Sequence, residues 1–158
     1  MLSSCSSFAI SDGEMCINKT MARFAKKMQS EGINPSGIGG GIDHTNGKHN
    51  NLELVFMTSN IPDIESARKL IIKTIDKFLM EVNSNEEIRP FLVEHPFTIK
   101  HISIGILSES KRSGLSCVSN YKNELTYRQD NPDLNNLQSM DVHSETYEEA
   151  VRILSSQN

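Results

Sequence analysis

Ile64, Ala67, Ile71, Ile75, Phe78, Leu79 and Val82 recur every three or four positions and draw one unbroken apolar face through the middle of the chain. That spacing is the period of an α-helix with one buried side. Asp63 stands in front of it as an N-cap, and Asn83-Ser84-Asn85 breaks it. On either side the period falls to two. Leu52, Leu54 and Phe56 form one strand-like run, and Ile102, Ile104 and Ile106 alternate with His101, Ser103 and Gly105 in another. A helix with one apolar face, set between half-buried strands, has to lie on the sheet those strands make, so the expectation is an α+β domain.

The remaining elements follow from the same rules. Met21, Phe24, Ala25 and Met28 occupy the i, i+3, i+4, i+7 positions of a first helix, with Asn18 or Thr20 as its cap. Lys26 and Lys27 suit the negative end of its dipole, and Gly32 can leave it through the left-handed region. Asn46-Gly47 predicts a tight turn between strands at about 36–43 and 51–58. After the long helix, Glu86 to Arg89 suits a short turn, and Pro90 and Pro96 bracket a loop. Strands are expected at about 97–107, 115–121 and 125–128, and then a polar loop over 129–143. Thr146 and Glu149 make a capping box for a last helix that buries Tyr147, Ala150, Val151 and Leu154. The predicted order is α-β-β-α-β-β-β-α. Short connections between consecutive strands predict a single antiparallel sheet of about five strands with the helices packed on one face.

A chain of 158 residues is long enough to seal one core without a metal or a disulfide. With no Trp and 6% aromatic residues, that core rests on Ile, Leu, Val, Met and a few Phe. Residues 1–17 carry no periodicity and read as a disordered leader or tether, and residues 18–158 as one α+β domain. A formal net charge of −4 and the lack of an aromatic-studded basic stripe argue against nucleic acid as a partner. Cys5, Cys16 and Cys117 have neither a CxxC spacing nor an even count. No run of apolar residues is long enough to be a membrane span.

Several residues invite a chemical reading. The glycines of Gly37-Ile38-Gly39-Gly40-Gly41 suggest a phosphate loop, but a turn and a strand follow where such a loop needs Gly-Lys-Ser/Thr and a helix. Their structural reading is that Gly39 to Gly41 admit a close helix or a bulge. Asp43, His44 and His49 flank the Asn46-Gly47 turn, where two histidines on facing strands can share a divalent metal. Polar residues at a hairpin tip are more often simply solvated. Cys117 is a nucleophile candidate if His101 lies beside it, against the plainer role of an apolar filler. Glu86 and Glu87, with Asp63 or Glu94, offer carboxylates where helix dipoles alone favour them. Lys19, Arg23, Lys26 and Lys27 give the first helix a basic face that an anionic membrane surface would attract. Without a GxSxG, HExxH, CxxC or GxGxxG setting, neither an enzyme nor a cofactor is expected.

Leu2-Ser3-Ser4-Cys5 resembles the end of a bacterial lipobox, in which an aliphatic and two small residues precede a cysteine that takes a diacylglyceryl group. Gly37 to Gly41 with Leu52-Glu53-Leu54-Val55-Phe56, then Glu87-Ile88-Arg89-Pro90-Phe91-Leu92, Pro96-Phe97-Thr98 and Tyr147-Glu148-Glu149-Ala150, resemble the recurring blocks of an uncharacterised family of small predicted bacterial lipoproteins. The resemblance implies a cell-envelope location through Cys5 if a signal peptide lies upstream of Met1, with membrane contact only through that anchor, and a cytoplasmic location otherwise. The partner expected of such a domain is a protein or other envelope component. It implies no catalytic residue. In length, acidity and mixture of elements the chain is also similar to the small type III secretion chaperones. That likeness implies a soluble cytoplasmic dimer holding an unfolded protein segment.

Overall fold

The computed structural model describes residues 11–110, 114–131 and 138–157. Helix α1 (Asp12–Gln29) begins where the Ser11 side chain accepts the Glu14 backbone N–H at 3.2 Å. It therefore starts six residues ahead of Asn18, inside the stretch expected to be a leader. Gly13 is buried there, because a Cβ at that position would stand 2.4 Å from the Phe91 ring. Strands β1 (Asn34–Asp43) and β2 (Lys48–Thr58) form the expected hairpin around Asn46-Gly47, with Gly47 at φ 68°. Irregular register between Gly41 and Ile42 confirms a bulge at the glycine run. What approaches Gly40 closely is the neighbouring strand and not a helix, since a Cβ there would meet the Asn51 carbonyl oxygen at 2.5 Å.

Helix α2 (Ile64–Ser84) is capped by Asp63 as expected, and it carries the chain across the sheet from β2 to β3 (Ile102–Ser108). A crossover of that length returns the chain to the end it started from, so β3 pairs parallel to β2. The sheet is therefore mixed, and the expectation of purely antiparallel pairing is corrected at this joint. Residues 99–101 form a short 3-10 turn where the strand was expected to have begun already. Strands β4 (Cys117–Tyr121), β5 (Glu124–Asp130) and β6 (Ser139–Thr146) continue antiparallel. The sixth strand occupies the end of what reads in sequence as a polar loop, which raises the count from five to six in spatial order β1-β2-β3-β4-β5-β6. Helix α3 (Tyr147–Ser155) leaves β6 directly, with the Thr146/Glu149 capping box in place.

The pleat sorts the sheet into a packed face and a bare one, on which no helix lies among the described residues. Leu52, Leu54, Phe56, Ile102, Ile104, Ile106, Val118, Leu125 and Tyr127 are buried, while the residues between them are half-buried or exposed. Phe24 of α1 joins the layers, with its ring centroid 6.5 Å from Phe56 and 4.9 Å from Phe78 of α2. The β3–β4 ladder pairs only Gly105–Leu107 with Cys117–Ser119, and buried Asn120 completes it. Its Oδ1 accepts the Ile104 N–H at 2.7 Å and its Nδ2 donates to the Ile102 carbonyl at 2.8 Å. One side chain thereby satisfies two backbone groups that burial would otherwise leave at a cost.

Candidate functional site

The most deeply placed charges lie where α2, β5 and β6 meet. Arg68 occupies a position on the apolar face of α2, between Ala67 and Ile71, and is itself buried. Its guanidinium makes a two-pronged contact with Glu145 of β6, Nε to Oε1 at 2.8 Å and Nη2 to Oε2 at 3.1 Å. The Tyr127 hydroxyl of β5 donates to the same Oε1 at 2.5 Å. The His143 ring packs against Tyr127 with centroids 5.4 Å apart, and its Nε2 lies 3.6 Å from Glu145. Burial alone would push Glu145 up, but the hydrogen bonds from Arg68 and Tyr127 outweigh it and hold the carboxyl below the ordinary range. Burial and the neighbouring carboxylate push Tyr127 up, so it stays a neutral phenol. A carboxylate held by a bidentate guanidinium and a phenol cannot serve as a free base. The cluster is a clamp fastening edge strand β6 to α2. Sequence reasoning missed it, although one signal was present: a charged residue at a core position of the most regular helix.

The residues singled out in sequence are placed apart. Cys117 lies in register with Leu107, near the far end of β3, whereas His101 precedes its first residue. Six residues of strand, about 20 Å, separate the two positions. Burial pushes the Cys117 thiol up, with Arg128 and Ser119 opposing it only in part, so the thiolate is disfavoured. The Cys117/His101 pair is therefore corrected to two unrelated positions. His101 has local partners: Glu94 Oε1 is 2.9 Å from its Nε2, Phe97 stacks on the ring with centroids 4.8 Å apart, and its Nδ1 accepts the Thr98 backbone N–H at 3.1 Å. The Thr98 hydroxyl is also within 3.2 Å of that nitrogen. This looks like a hydroxyl–imidazole–carboxylate chain. Its geometry, however, is that of a capping box closing the 99–101 turn, with the acceptor nitrogen engaged by backbone.

The hairpin candidates for a metal likewise diverge. The Asp43 carboxylate accepts the Thr45 N–H at 2.8 Å and hydroxyl at 2.6 Å and the Asn46 amide at 3.2 Å, contacts that hold it below the ordinary carboxylate range. His44 is exposed in the turn, while His49 is buried. Among the described residues no three His, Cys, Asp or Glu side chains gather as a metal site. Asp63 is the cap of α2, and Glu86 and Glu87 are exposed. On α1, Arg23 and Lys27 both pair with Glu81 of α2, at 2.9 and 2.6 Å, so half of the expected basic face holds the helices together. Lys19 and Lys26 are exposed. Cys5 lies outside the described residues. No described helix is long and apolar enough to cross a membrane.

Two surfaces remain. An open groove of about 760 Å³ runs between α2 and α3 over Ile72 and Leu154. Its lysines are engaged, Lys69 with Glu65, and Lys73 and Lys77 with Glu31. The second surface is the bare sheet face, where the register aligns three rows of side chains. Val55, Gly105, Ser119, Thr126 and Ser144 form the middle row, and Met57, Leu107, Cys117, Arg128 and Asp141 the row on one side of it. Tyr121 and Glu124, with Glu53 and Ser103, flank the middle row on the other side. Comparison with protein-family models, with curated proteins and with solved structures finds no match for this chain.

Proposed function

We propose that the protein is a non-catalytic component of the bacterial cell envelope, held to a membrane by a lipid on Cys5, whose α+β domain binds a protein or another envelope component. The observation that carries the anchor is the position of the Ser11 cap. Ser11, the cap of α1, stands six residues after the cysteine of the Leu2-Ser3-Ser4-Cys5 tetrad. Six residues span at most about 20 Å, so the domain would sit against the headgroups with α1 nearest the membrane. Lys19 and Lys26 would then meet anionic lipid, and the block-level likeness to small lipoproteins points the same way. The non-catalytic part rests on how the ionisable groups are used. Glu145, Arg68, Glu81 and Glu31 each bridge two elements of the scaffold, and His101 closes a turn.

The test is fractionation of a bacterial host expressing the natural gene. The wild-type protein is expected in the membrane fraction, released only by detergent, and the Cys5→Ser protein in the soluble fraction. A soluble wild type, or a Cys5→Ser protein that stays with the membrane, overturns the anchor.

A further inference from the structure

We infer that the bare face of the sheet is a self-association surface, on which a second copy of this chain packs sheet against sheet. Six strands about 4.8 Å apart, with about seven residues each at about 3.3 Å, present roughly 650 Å² per copy. Two copies would remove about 1,300 Å² from solvent, inside the range of stable interfaces. The make-up of the face suits such packing. Its middle row is short-chained at Gly105, Ser119, Thr126 and Ser144, which lets two sheets approach closely. The flanking rows carry the bulk: Met57, Leu107 and Cys117 on one side and Tyr121, which is 70% exposed, on the other.

A two-fold axis running across the strands along the middle row makes these rows complementary. Ser119 then meets Ser119 of the second copy, and Tyr121 covers Cys117 and Leu107 of the second copy. Glu124 faces Arg128 of the second copy, whose guanidinium also holds Asp141 of its own strand pair at 2.8 Å, so the opposite charges meet as a shared group and not as an isolated pair. The alternative axis, along the strands, would set Glu53 against Glu124 of the second copy and is disfavoured by like charge. Self-contact of this kind is isologous and closes at two copies.

Sedimentation equilibrium of the Cys5→Ser protein tests this without the lipid, so failure of the anchor and failure of the dimer are read separately. A concentration-dependent dimer is expected at tens of micromolar, about what a wet interface of this size supports. Ser119→Arg, on the axis, and Tyr121→Glu, at a site too exposed to unfold the domain, are each expected to weaken association at least tenfold. Met80→Gln, on the outer side of α2 and 71% exposed, is expected to leave it unchanged. A monomer throughout the range overturns the inference, whether a carbene footprint finds the face open or shielded by another stretch of the chain. A dimer that tolerates Tyr121→Glu overturns it as well.

Discussion

Replacing Arg68 by Met removes the guanidinium and keeps most of the side chain's length and apolar surface. Glu145, whose side chain is 5% exposed, then stays buried with the Tyr127 hydroxyl and the distant His143 ring as its remaining polar company. Breaking a buried ion pair from one side costs about 3–5 kcal/mol, because the abandoned charge keeps its desolvation penalty. For a chain of this size each kcal/mol lowers Tm by about 2–4 °C, so a fall of roughly 6–20 °C is expected. Glu145 depends on its partners for its low proton affinity. Its folded value, now depressed, would rise above the unfolded one, and the variant would lose stability as pH increases from 4 to 7, where the wild type does not. Adding Glu145→Gln removes the charge and keeps an acceptor for Tyr127. The double variant is expected to recover more than half of the loss, a coupling of about 2 kcal/mol. The assay is thermal and urea unfolding followed by circular dichroism. A single variant within 2 °C of wild type, or a double variant as weak as the sum of its parts, would refute the clamp.

Two further outcomes follow from the same geometry. Asn120→Leu keeps the branch point and the number of side-chain heavy atoms but abandons the Ile104 N–H and the Ile102 carbonyl, each worth about 1–3 kcal/mol when buried without a partner. Urea unfolding should show about 2–6 kcal/mol lost, and a loss under about 0.5 kcal/mol would show that the β3–β4 ladder closes without it. His49 is buried with no partner on Nδ1 among the described residues, and burial lowers its proton affinity, with Glu14 opposing. Because the unfolded chain binds the proton more readily, this stabilisation is complete above about pH 6.5 and is lost as pH falls through the lower folded value. His49→Leu should flatten the stability curve between pH 6.5 and 5.5. An unchanged slope would place that titration elsewhere.

The elements whose stability is local were legible in sequence. The helix α2 has Asp63 and an unbroken apolar stripe, and α3 has its capping box within four residues. Strand β6 was not legible because its inward residues are His143 and Glu145, while Met140 and Val142 are exposed, the reverse of the usual alternation. What permits a glutamate inside is Arg68, 77 residues away, and no local window contains both. The start of α1 was hidden for a similar reason. Gly13 reads as a helix breaker until the Phe91 ring is seen to fill the space beside it. The parallel joint between β2 and β3 was implicit in the helix between them, but adjacency of short hairpins obscured it. His101 was noticed for a partner across the sheet and finds its partners within seven residues along the chain.

The anchor is tested most directly by mass spectrometry of the N-terminal peptide from protein extracted from its own host's membranes. The expected peptide begins at Cys5 and carries the mass of a diacylglyceryl thioether. A peptide that runs through Ser4 into an unmodified Cys5 would contradict the anchor.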